Sequence, residues 1–212
     1  MTLSPKLSIL VAAAVGMLAS GAANAAKWDM PLAYPASNFH SQNAAEFAAC
    51  VGKSTDGKLE IATHPGGSLF KGNEIKRAVQ TGQAQIGERL LSAHQNENAL
   101  FGVDVLPFVA TSYDDAFKLY QASKPVLEKL LDSQGMKLLF AVPWPPQGLY
   151  SKKPLDGASD LKGMKFRAYN PATAKIADMF GAQPVTIQAA ELSQAMATGA
   201  VESYISSGST GY

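Results

Sequence analysis

Met164-Lys165-Phe166-Arg167-Ala168-Tyr169-Asn170-Pro171 sets the architecture, because it reads as a strand that hands over directly to a helix. Residues 164–168 form the strand. Asn170 is a cap and Pro171 the first helical residue, where its missing N–H is no loss. Gly181 stands just past the helix end, in the usual place for a glycine. The alternation continues with a strand at 184–187, a helix at 189–198 stopped by Gly199, and a strand at 201–206. Strands alternating with helices of about ten residues predict an α/β fold with largely parallel sheets.

Upstream, a strand around Leu149 and Tyr150 precedes a short helix opened by Ser159 and Asp160. Before these, Pro143-Trp144-Pro145-Pro146 places three prolines in four residues, which neither a central strand nor a helix tolerates, so a domain crossover is expected there. The first half opens with a strand at 28–32 and a helix at 38–51 that carries Ala44, Phe47, Ala48 and Val51 at helical spacing. A strand at 58–62 follows, then a helix capped by Asn73 and ended by Gly82, and a third strand at 84–91. Ser112 caps a further helix with Asp114 and Asp115 in its first turn, where acidic groups suit the dipole. Pro125 should interrupt that helix, leaving a second segment at 126–131 that stops at Gly135. Residues 136–142 are a largely apolar run of the kind buried in a sheet.

Composition removes several function classes. The 212 residues include one cysteine, so neither an internal disulfide nor a multi-thiolate metal site can form. With 18 Lys+Arg against 17 Asp+Glu there is no electrostatic footprint for nucleic acid, and 47% hydrophobic residues argue against disorder. Residues 7–26 are uncharged and follow Lys6; the apolar part, 7–19, is too short to span a membrane. It ends in Ala23-Asn24-Ala25, so residues 1–25 are expected to be a secretory signal peptide cleaved after Ala25. Export without a disulfide suggests a periplasmic location.

Catalytic patterns are missing: the sequence has no nucleophile elbow, phosphate loop, dinucleotide fingerprint or zinc-protease helix. His40, His64 and His94 are too far apart for helical metal-ligand spacing. No cofactor, no metal and no enzymatic role are expected. Cys50, on an alanine-rich amphipathic helix, is expected to be a buried, inert thiol. The tail Ser206-Ser207-Gly208-Ser209-Thr210-Gly211 could cradle an anion or be an ordinary polar turn. Arg167 is the best candidate: it ends a strand and precedes a capped helix, and its guanidinium forks onto a carboxylate. A surface ion pair is the alternative for that arginine.

Further residues carry a family resemblance. Lys162-Gly163-Met164-Lys165-Phe166-Arg167, Gly181-Ala182-Gln183-Pro184, Glu191-Leu192 and residues 195–201 resemble TRAP-type (tripartite ATP-independent periplasmic) solute-binding proteins of the DctP class. Residues 32–40, Gly66-Gly67-Ser68-Leu69-Phe70, residues 82–87 and Leu106-Pro107-Phe108 fall in the same order and spacing. The resemblance implies a two-lobed periplasmic binding protein of α/β type, with lobe I at 26–143 and lobe II at 144–212. Such a receptor closes on a small organic acid and delivers it to the membrane subunits of a permease driven by an ion gradient. A receptor serving a periplasmic sensor would share the fold, and an enzyme acting on organic acids is the third reading.

By the same resemblance Arg167 pairs with the substrate carboxylate. Gln147 falls where some members, sialic-acid binders among them, place a second arginine, and Ser206 falls near an asparagine of that group. Both departures argue against a sialic-acid ligand. Asn170, Glu88 and the rings of Trp144, Phe108, Phe39 and Tyr169 complete the candidate site, with ordinary packing the alternative for the rings and a surface charge for Glu88; an aromatic lining suggests an apolar or aromatic carboxylate, or a 2-oxo or 2-hydroxy acid. The family's members are longer, so the second lobe is expected to be incomplete and the isolated product poorly stable.

Overall fold

The computed structural model describes residues 25–209, so residues 1–24 of the expected signal peptide, and Thr210 and Gly211 of the polar tail, lie outside the described residues. The first half is built on β1 (Ala26–Pro31), α1 (Phe39–Ser54) and β2 (Leu59–His64). β1 and β2 pair in parallel, from Ala26 opposite Leu59 to Pro31 opposite His64. Asn38 caps α1 by accepting from the His40 N–H, as its side chain is suited to do. Met30, Leu32, Ala44 and Ile86 form the core beneath α1.

Next come α2 (Ile75–Gln80) and α3 (Tyr113–Ser133), with short 3-10 turns at Leu91–His94 and Ala99–Val105 between them. The second half contains β3 (Gln147–Ser151), β4 (Lys165–Ala168), α4 (Pro171–Met179), β5 (Gln183–Thr186), α5 (Leu192–Thr198) and β6 (Ser203–Ser207). Its sheet has the order β3-β6-β4-β5. β4 is parallel to both neighbours, and only β3 runs against β6. The architecture is therefore α/β with mostly parallel pairing, as the alternation predicted. Among the described residues no helix is long and apolar enough to cross a membrane.

β4 is the centre of the second half. Phe166 is fully buried, on the side that packs Leu161, Met164, Ala177 and Ala182. Arg167 points to the other face, as side-chain alternation along a strand requires, and lies in register between Val185 and Tyr204.

Five local expectations need correction. Asn73 does not cap α2: Glu74 holds that position and makes no side-chain cap bond. Residues 84–91 do not form a strand; their ladder pairing with the extension of β1 is a single parallel bridge between Leu32 and Glu88. The Asp29 N–H that a third strand would engage is taken by Gln85 Oε1 at 3.0 Å, so a side chain replaces the ladder. Residues 136–142 have no strand pairing either: Met136 and Leu138 pack against Phe101, Leu127 and Leu131 while Leu139 and Phe140 stay exposed. Apolar spacing thus reports burial here without a ladder. Pro125 does not break α3, which runs unbroken for 21 residues. The carbonyl it leaves free belongs to Gln121, an exposed residue that water can reach, and Ser123 Oγ donates to the Leu119 carbonyl at 2.8 Å nearby. Finally, Cys50 is exposed, on the outer face of α1.

Candidate functional site

Arg167 is 4% exposed and no carboxylate pairs with it among the described residues. Its Nε donates to the Ile187 carbonyl at 2.9 Å and its Nη1 to the Ile205 carbonyl at 3.4 Å, which fixes the fork between the end of β5 and the middle of β6. The Tyr169 ring lies under the guanidinium, 5.0 Å from its centre. Burial pushes the arginine down to about 10, still charged at neutral pH. A buried cation held by carbonyls and an aromatic face, with no internal counter-charge, is prepared for an anion from outside.

The helix start after it contributes less than the sequence suggested. Asn170 Oδ1 accepts the Thr173 N–H at 2.8 Å, and Thr173 Oγ1 accepts the Asn170 and Tyr169 N–H groups at 3.2 and 3.1 Å. Pro171 has no N–H, so little of α4's positive end is left open. Asn170 Nδ2 is also engaged, with Ser92 Oγ at 3.0 Å. Asn170 is thereby a cap and a tie to the first half of the chain.

A second group forms around Trp144. Its indole meets Tyr34 and Phe39 edge-on at 4.9 and 5.1 Å and lies 4.1 Å from the His40 ring. His40 Nδ1 is 4.0 Å from Glu88 Oε1, too long for a hydrogen bond. Burial pulls His40 down to about 4, so it is neutral at neutral pH, and pushes Glu88 up to about 7. Tyr34 joins the two groups: its buried phenol, pushed up by burial, feels Glu88, Arg89, Arg167 and Tyr169 together. Tyr169 closes the far side, pushed up to about 12 by burial and donating from Oη to Gln147 Oε1 at 3.1 Å.

The structure thus brings Arg167, Tyr169 and Gln147 together, and Trp144, Phe39 and Glu88 together, with Tyr34 between the sets. Ser206 is buried in β6 opposite Gly148. Phe108 stands apart, 93% exposed at the end of a turn, with a positive φ of 66°. Sequence reasoning missed Tyr34, His40 and Arg89. The available signal was the adjacent pair Glu88-Arg89 set inside the apolar run of Ile86, Leu90 and Leu91.

An α/β chain that presents one buried, unpaired arginine at the end of a central parallel strand has the build of a solute-binding protein. The chain belongs to the bacterial extracellular solute-binding protein family 7, DctP, whose pattern matches residues 32–212. The solved structure of DctP6 from Bordetella pertussis, an extracytoplasmic solute receptor binding pyroglutamic acid, is 59% identical with a TM-score of 0.84, covering 87% of this chain and 62% of that one. A marine metagenome TRAP solute-binding protein specific for pyroglutamate is 58% identical with a TM-score of 0.87, over 89% of this chain and 62% of that one. A solute-binding protein of Albidiferax ferrireducens is 29% identical over 174 residues, 80% of this chain and 51% of the relative. The chain therefore spans about half the length of that curated relative and 62% of the two solved ones.

Proposed function

We propose that this chain is the ligand-capturing part of a periplasmic receptor that takes an organic acid, pyroglutamate before others, and delivers it to a TRAP permease. The observation that carries the reading is Arg167, buried and without a carboxylate partner beside Tyr169. Two neighbours above 55% identity that bind pyroglutamate support the choice of acid. Arg167 takes the carboxylate, and Tyr34, Trp144 and Phe39 cover the apolar part of a small ring. Residues 26–143 and 144–212 act as two lobes that close about the proline cluster at 143–146. The role is binding and hand-over, without chemistry on the ligand.

The test is calorimetry of the purified protein against pyroglutamate, succinate, malonate, a 2-oxo acid, an aromatic acid and a uronate. Saturable binding of pyroglutamate in preference to the others is expected. Binding of none of these acids would end the reading, and preference for the uronate would move it to sugar acids.

A further inference from the structure

Glu88 lies where the chain leaves its single bridge to Leu32, at the end of β1, and its side chain is 20% exposed. One oxygen, Oε2, is buried and has no hydrogen-bond partner among the described residues. Each packed segment presents something to this carboxyl. α1 presents His40, neutral at neutral pH, whose Nε2 is also buried and unpartnered. The segment after β1 presents the Ala33 backbone, which favours the ionised carboxyl, and the Tyr34 phenol. Its own segment presents Arg89, whose charge favours ionisation but which makes no ion pair with it. The cation of β4, Arg167, reaches the same Tyr34 from the other side.

We propose that Glu88 binds the ligand as a neutral carboxylic acid, its carboxyl O–H donating to an uncharged carbonyl of a ligand whose one carboxylate is held by Arg167. This rests on the organic-acid reading above and narrows it to acids that carry a carbonyl beside the charge, as a lactam acid does. A protonated carboxyl offers one donor and one acceptor on adjacent oxygens, and a lactam offers the complementary carbonyl and N–H on adjacent atoms. An ionised Glu88 would instead face that carbonyl lone pair to lone pair. Burial, which holds the proton on up to about pH 7, favours the neutral form. The proton is taken from solvent when binding occurs above that pH and returns on release.

The experiment is calorimetry of pyroglutamate binding from pH 6 to 9, in buffers of different ionisation enthalpy, with the wild-type protein and Glu88→Gln. The wild type should bind most tightly at pH 6, weaken about tenfold per unit well above pH 7, and take up close to one proton at pH 8.5. Glu88→Gln, whose amide keeps a donor, should hold its pH 6 affinity within several-fold and lose the pH dependence. Affinity that is flat or rises with pH, or binding without proton uptake, overturns the role of Glu88 and leaves the receptor reading standing. Failure of every acid in the panel to bind at any pH overturns both. The proton count uses the wild type alone, so a poorly folding variant does not decide the matter.

Discussion

Asn170 Nδ2 donates a hydrogen bond to Ser92 Oγ at 3.0 Å, joining the first turn of α4 to a 3-10 turn 78 residues earlier. Ser92 is fully buried and Asn170 nearly so. The bond therefore ties the two sides of the proline cluster next to Arg167, at a place where water cannot substitute for a lost partner.

Ser92→Ala should cost about 1–3 kcal/mol, because it strands a buried amide N–H. At this chain length that is a fall in Tm of about 2–4 °C per kcal/mol. Asn170→Ala should cost more, since it removes the α4 cap as well. A double-mutant cycle by chemical denaturation should return a coupling near 1 kcal/mol; a coupling of zero would show the pair to be merely adjacent.

Arg167→Met should separate binding from folding. The variant relieves the burial of an unpaired cation but frees the Ile187 and Ile205 carbonyls, so the two effects should offset to within about 1 kcal/mol in the unliganded protein. Ligand affinity should fall roughly a hundredfold or more, with Arg167→Lys intermediate because it keeps the charge and loses the fork. Calorimetry beside a thermal melt reads both quantities. Retained affinity in the Met variant would place the carboxylate elsewhere.

Tyr169 has two roles that substitution can divide. Tyr169→Phe removes the donation to Gln147 and keeps the ring 5.0 Å from the guanidinium, whereas Tyr169→Ala removes both. The alanine variant should bind more weakly than the phenylalanine variant by about 0.5–2 kcal/mol, the range of a cation-π contact. Equal affinities would mean that the ring face contributes nothing.

What the sequence made legible follows from range. The caps at Ser112 and Asn170 were readable because a cap is decided within four residues, and the cap bond forms at each; Asn73 has the right residue type but α2 starts one residue later, from Glu74, without a side-chain cap bond. The mostly parallel pairing about β4 followed from the alternation of strands and helices, whereas the order β3-β6-β4-β5 depends on long-range pairing and was not legible. By contrast, 84–91 and 136–142 carry apolar spacing but no ladder, since pairing depends on a partner distant in sequence. Tyr34 and His40 escaped notice for the same reason: each looks ordinary alone, and only the fold sets them against Glu88, Trp144 and Arg167. Pro125 misled because the penalty for proline assumes a carbonyl cut off from water, and Gln121 is exposed.

His40 and Glu88 give the protein opposing responses to acid, and removing either should expose the other. The native His40 titrates near 4, against an ordinary 6.5, so between those values the unfolded chain binds a proton that the native state refuses. Stability from this group is complete above pH 6.5 and falls on acidification by up to about 3 kcal/mol. Glu88 titrates near 7, against an ordinary 4.5, so over that window the native state holds the extra proton. Its contribution is complete below pH 4.5 and is lost, by a similar amount, as the pH rises through 7. The two slopes cancel between pH 4.5 and 6.5, where wild-type stability should be nearly flat. In His40→Gln stability should rise as the pH is lowered from 7 to 4.5; in Glu88→Gln it should fall from 6.5 to 4. Denaturant melts at four pH values for the three proteins measure these slopes, and parallel curves would show that neither side chain is shifted by its burial.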